Sequence, residues 1–187
     1  MTGWDLPRRA EIGGKCYEIH GDFRDILEIF SYFEDPDLPE PLRWRIALAL
    51  FYEGQIPEKH RQEAMEYLIW FLNCGKKEQP GPGVKLIDWE QDAPMIVADV
   101  NKVACQEVRS LPYLHWWTFM AWFHAIGEGQ LSTVVSIRDK QRRGKPLEKW
   151  EKDYYRENKH LVDLQVRYSQ EELKQQQALQ KLLGGEA

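Results

Sequence analysis

The chain has 187 residues and a mass of 22.2 kDa, the size of one globular domain with little room for a second. Its 25 Lys and Arg against 30 Asp and Glu leave a net charge of −5, which argues against broad electrostatic binding to nucleic acid or to an anionic membrane. A 43% hydrophobic and 12% aromatic content supports a buried core rather than disorder, and with a mean hydropathy of −0.60 no apolar run approaches the length of a spanning helix.

In chain order, Glu11–Ile19 predicts a small hairpin, because Gly13-Gly14 supplies the positive φ angles of a two-residue turn. Phe23, Ile26, Leu27, Phe30 and Phe33 then recur at helical spacing behind Asp22, a capping residue, and Glu34-Asp35-Pro36-Asp37 ends that helix. A second helix is expected from Glu40 to Tyr52 with Leu42, Ile46, Ala49 and Leu50 inward. A third follows Pro57 and closes at Gly75, with Ala64, Met65, Leu68, Phe71 and Leu72 as its stripe. Residues 76–86 hold two prolines and two glycines in four positions and predict a flexible loop. The next helix is expected to start over Ile87–Gln91, with Asp88 and Gln91 at capping-box spacing. Trp89, Ala93, Ile96, Val97, Val100, Ala104 and Val108 would face inward, and Pro94 would bend the first turns.

Leu114–Gly127 is apolar nearly all round, as in the central helix of a bundle. Leu131, Val134, Val135 and Arg138 mark a shorter helix ending near Gly144. Pro146 opens another, along Trp150, Tyr154, Asn158, Leu161 and Leu164, and Ser169 to Glu172 is a capping box for a polar helix that stops at Gly184-Gly185. The expectation is all-α: a multi-helix bundle with a small N-terminal β-hairpin, one domain over 1–165, and a Gln-rich helical tail extension over 166–187.

Chemistry-bearing patterns are scarce. His115 and His124 are nine apart rather than four, neither sits in an HExxH pattern, and Asp22 beside His20 is better explained as a cap, so no metal site is expected. There is no phosphate-binding glycine motif and no Gly-x-Ser-x-Gly elbow, and the acid pairs Asp35/Asp37 and Glu90/Asp92 have no assigned partner. The expectation is a non-enzyme without catalytic residues or cofactor. Cys16, Cys74 and Cys105 lack CxxC spacing and read as reduced thiols of a cytosolic protein. The opening MTGWDLPRRAEIGG has no apolar core of the secretory kind.

Residues 1–75 carry −6 and residues 138–187 carry +3, a segregation expected to reflect solvated faces. Arg138, Lys140, Arg142, Arg143, Lys145 and Lys149 cluster, and are expected to neutralise helix C-termini or pair with the acidic front rather than touch nucleic acid. Trp116, Trp117, Phe119, Trp122 and Phe123 cannot share one helix face. They are either core anchors or a partner-binding cluster, and the core reading is favoured because the amphipathic helices around them need something to pack on.

Taken as an ordered set, GKCYEIHGDFRD, ALALFYEGQIPE, WFLNCGK, DWEQDAPMI, LHWWTFMAWFHAI and IRDK resemble the bacteriophage "gene product fifteen" family of siphophage and prophage tail-module proteins, from about Asp5 to Leu161. The tail beyond about Leu164 is not covered. The resemblance implies a non-enzymatic tail assembly chaperone in the bacterial host cytoplasm, binding the tape measure protein or other tail proteins, without catalytic or metal residues to carry over. A structural subunit kept in the finished tail is the alternative. A small-molecule-binding or enzymatic helical domain ranks behind both, and homo-oligomerisation stays open.

Overall fold

The first turn is set by Gly13 and Gly14, at φ +58° and +76°, the pair of left-handed residues that a tight hairpin requires. In the computed structural model, which describes residues 4–76 and 84–183, this turn joins β1 (Arg9–Ile12) to β2 (Lys15–Glu18) with Ile12 opposite Lys15. Ala10, Ile12 and Tyr17 point into the core. A two-stranded ribbon is marginal alone, and this one leans on a helix: Gly13 N–H donates to Glu63 (2.9 Å) and the Tyr67 hydroxyl donates to the Arg9 carbonyl (2.9 Å). A side chain at position 13 would also strike the His60 ring.

Asp22 does two jobs at the entrance to α1 (Phe23–Glu34). Its Oδ1 accepts from Arg24 N–H (3.0 Å) as an N-cap, while Oδ2 accepts from Leu114 N–H (2.8 Å). The Phe23 N–H donates to the Leu114 carbonyl and the Trp116 N–H to that of Gly21, so the two halves of the chain are clamped where α1 begins. Helices α2 (Glu40–Phe51) and α3 (Arg61–Leu72) follow, α3 led in by a 3-10 turn at Glu58–His60. The expected inward face of α2 is turned: Ala47, Leu48 and Phe51 are buried, whereas Leu42 and Ala49 are exposed. Apolar residues lie on every side of α2, so periodicity alone selects no face.

The fourth helix starts later than expected. Asp88 Oδ1 accepts from the N–H groups of Glu90 and Gln91, but these cap a turn, and α4 runs Ala93–Ala104. Pro94 forbids a helix continuous through 90–94, and at the second position of a new helix its missing N–H costs nothing. It therefore sits in the first turn instead of bending the interior. Cys105 at φ +53° ends α4, and Val108, buried as expected, belongs to a separate 3-10 turn, Val108–Ser110.

The expected central helix is cut to α5 (Trp116–His124), because Leu114 and His115 are engaged in the bridge to Gly21–Phe23. Helix α6 (Gln130–Arg142) buries Leu131, Val134, Ile137 and Arg138. The single helix expected after Pro146 is two, α7 (Lys149–Glu157) and α8 (Lys159–Val162), broken at Asn158. Its inward residue is Glu151, held by Lys140, and Trp150 is 54% exposed. Helix α9 (Gln170–Leu183) opens on the expected capping box: Glu172 accepts from Ser169 N–H (2.8 Å) and Glu172 N–H donates to Ser169 Oγ (3.2 Å). The expected flexible loop lies largely outside the described residues. Among those described, the protein is nine α-helices and one hairpin, and no helix is long and apolar enough to cross a membrane.

Candidate partner-binding groove

Helix α5 lies between α1, α3 and the turn at 88–92, and its aromatics divide accordingly. Trp116 and Phe119 are buried, each 1% exposed; Trp117, Trp122 and Phe123 are half-buried. Phe119 stacks on Phe23 (4.8 Å between centroids), Trp116 meets Phe30 edge-on (5.7 Å), and Phe123 lies 5.2 Å from Trp89. Trp117 turns instead to α3, against Trp70 (5.3 Å). The indole N–H groups of Trp116 and Trp117 donate to the carbonyls of Leu72 and Phe71 (3.0 and 2.8 Å), so the polar atom of each ring is satisfied inside the fold.

The aromatic layer reaches the surface beside Trp89. There Trp89 stacks parallel to Phe30 (6.1 Å, 4° between planes), and a groove of about 240 Å³ opens over Leu27, Phe30 and Trp89. Its rim is charged: Glu34 from α1, Glu90 from the turn, and Arg167 from the strap that joins α8 to α9. Sequence periodicity placed Leu27, Phe30 and Trp89 on inward faces, but the groove escaped it. Phe30 comes from α1 and Trp89 from a turn 59 residues on in the chain, a meeting that no local pattern encodes.

Behind the rim lies a charged network. Asp88, 2% exposed, accepts from Lys85 Nζ (2.8 Å) and Arg167 Nη2 (3.0 Å) as well as from its two turn amides. Burial pushes its carboxyl up, but the Gln91 N–H, Lys85 and the Glu90 N–H outweigh that and hold it down at about 2. One turn on, Asp92 is fully buried and paired with Arg138 through two parallel bonds (2.6 and 2.9 Å). The same guanidinium donates to the carbonyls of Leu86, Leu161 and Val162. One arginine thereby joins α6, α4, the segment before the turn and the end of α8.

The basic cluster of the sequence is dispersed by these pairings. Arg138 goes to Asp92, Lys140 to Glu151 (2.6 Å), and Arg142 and Arg143 to Asp139 (3.0 and 2.9 Å). None of these partners belongs to the acidic first 75 residues; from the basic rear it is Arg167 that reaches Glu34 (3.2 Å), beside Lys85 from the segment before the turn (2.8 Å). His115 is spent on structure: Nε2 donates to the Pro7 carbonyl (3.0 Å) and Nδ1 accepts from Trp117 N–H (3.1 Å), capping α5. Burial keeps this imidazole neutral by lowering its pKa. Among the described residues no group of three or more His, Cys, Asp or Glu is placed to hold a metal ion.

The groove therefore offers shape, an apolar floor and a charged rim. A family model described as Bacteriophage Gp15 protein matches residues 4–164. No curated protein and no solved structure matches the chain.

Proposed function

Because the chain belongs to the Bacteriophage Gp15 protein family, we propose that it is a non-enzymatic phage tail assembly chaperone, acting in the host cytoplasm on the tape measure protein. The observation that carries the reading is the groove over Leu27, Phe30 and Trp89. At about 240 Å³ it is smaller than the ~300–1,000 Å³ of most small-molecule sites, and it suits one large apolar side chain presented by a helix. Fully burying such a side chain contributes about 1.5–3 kcal/mol. That is one anchor's share of the binding of an amphipathic helix, short of the about 4 kcal/mol of even a millimolar complex. Contacts along the rest of the helix add to it, and each stays weak enough for polymerising tube subunits to displace the chaperone. The non-catalytic part of the reading is supported by how the buried polar groups are used: Asp92, Arg138, Glu151 and His115 are all consumed by contacts within the fold.

Co-expression with the tape measure protein of the same tail gene cluster tests the reading. The expected result is a soluble partner that co-purifies with this chain, together with mature particles that lack it. An insoluble partner that leaves no trace on the affinity resin contradicts it, and a fixed copy number in mature particles favours a retained tail subunit.

A further inference from the structure

The rim of the groove holds an imbalance. Arg167 Nη2 donates to Asp88 (3.0 Å) and also lies 3.2 Å from Glu34 and 3.1 Å from Glu90. One nitrogen with two N–H groups thus faces three carboxylates, and the bidentate fork that makes arginine–carboxylate pairs strong is not formed. Lys85 offsets part of the charge, at 2.8 Å from both Glu34 and Asp88. With Arg167 in place the five charges sum to −1; with it withdrawn they sum to −2, beside an apolar floor.

Arg167 also stands in the middle of a strap that is tied to the fold at its two ends. At its start Gln91 Nε2 and the Tyr155 hydroxyl donate to Asp163 (2.9 Å each) and Gln165 N–H donates to Gln91 (3.0 Å); at its end Gln170 N–H donates to Asp37 (2.8 Å). Between these ties Arg167 is held by its own side chain, and the described side chains of α9 beyond are exposed. Position 167 lies outside the family match at 4–164, whereas Glu34, Asp88 and Glu90 lie within it.

We propose that Glu34, Asp88 and Glu90 form a seat for a lysine or arginine of the bound partner, and that Arg167 is its resting, displaceable occupant. The inference rests on the partner-binding reading above and specifies the partner: a helix carrying a basic residue one turn from the apolar side chain that enters the groove. Charge complementarity selects this occupant. The same carboxylates repel an acidic helix, and the strap competes with a basic one for a single site.

The test uses the full-length chain and two labelled helical peptides, one with leucine and arginine four residues apart and one with glutamate in place of arginine, read by fluorescence anisotropy at low salt. Arg167→Gln is expected to bind the arginine peptide about tenfold more tightly than wild type, the scale of one charge-assisted hydrogen bond. The gain should vanish in about 0.5 M salt and with Glu34→Gln and Glu90→Gln added, and the glutamate peptide should gain nothing. Equal affinity for wild type and Arg167→Gln, or an equal gain for both peptides, overturns the proposal. Should Arg167→Gln fail to fold, Glu90→Gln alone decides. Its side chain is 78% exposed, and it must weaken the arginine peptide while leaving the glutamate one no weaker; unchanged affinity for the arginine peptide, or an equal loss for both, overturns the seat. If the peptides behave as expected but the tape measure protein does not bind, the chaperone reading fails and the seat stands. If the tape measure protein binds wild type, Arg167→Gln and the carboxylate variants equally, the seat fails and the chaperone reading stands.

Discussion

Arg138 and Arg142 lie one helical turn apart in the same basic run, yet the fold uses them for opposite purposes. Arg138 is buried against Asp92 and closes three further carbonyls, whereas Arg142 is 42% exposed beside Asp139. Arg138→Ala leaves a carboxylate unpaired in the core and is expected to cost about 3–5 kcal/mol. Arg142→Ala should stay within about 0.5 kcal/mol. Urea melts of the two variants check the contrast, and equal effects would contradict it. The sequence shows six cations in twelve positions and sets Arg138 in the stripe of Leu131 and Val134, but it hides the partner, because Asp92 is 46 residues away from Arg138. His115 is a similar case. Its neutral Nδ1 caps α5, and burial lowers its pKa. A histidine lowered in the native state contributes stability that is present above its unfolded value, near 6.5, and is lost as pH falls through the native one. Thermal melts at pH 7 and 5 should therefore show a drop that His115→Asn reduces, since an asparagine oxygen accepts the same amide at any pH.

At the scale of elements, much was legible because it is local. The Gly13-Gly14 turn, the Asp22 cap and the Ser169–Glu172 box each place donor and acceptor within three residues. Boundaries went wrong where a distant partner intervened. Helix α5 loses its first residues to the bridge with Gly21–Phe23, and the helix after Pro146 turns Glu151 rather than Trp150 inward because Lys140 waits there. Two tryptophans measure the difference. Trp116→Ala removes a ring that is 1% exposed and bonded to Leu72, and should cost about 3–5 kcal/mol; Trp150→Ala, at 54% exposure, should fall within about 0.5 kcal/mol. Chemical denaturation of both variants gives the answer, and a large loss at Trp150 would mean that its exposed face is covered in solution.

Over the whole molecule, charge and packing meet at the turn 88–92, where Asp88 braces the groove and Asp92 anchors α6. Asp88 is held at about 2 against an ordinary 3.8, so it contributes roughly 2 kcal/mol that is present above about pH 4 and disappears as pH falls toward 2. Acid unfolding monitored by circular dichroism should shift to higher pH in Asp88→Asn. The family resemblance was legible in the order of motifs along the chain, and the family match covers 4–164. The groove was not, since its floor and rim come from α1, a turn and a strap that meet only once the chain is folded. That groove is the centre of the functional account, and Ser31 is the exposed residue on its wall best suited to close it. The most direct measurement is the amount of tape measure protein kept soluble by wild type and by Ser31→Trp at equal expression, with both chains shown to melt at the same temperature. The account predicts that the indole fills the groove and abolishes the protection; a tape measure protein kept equally soluble by Ser31→Trp contradicts it.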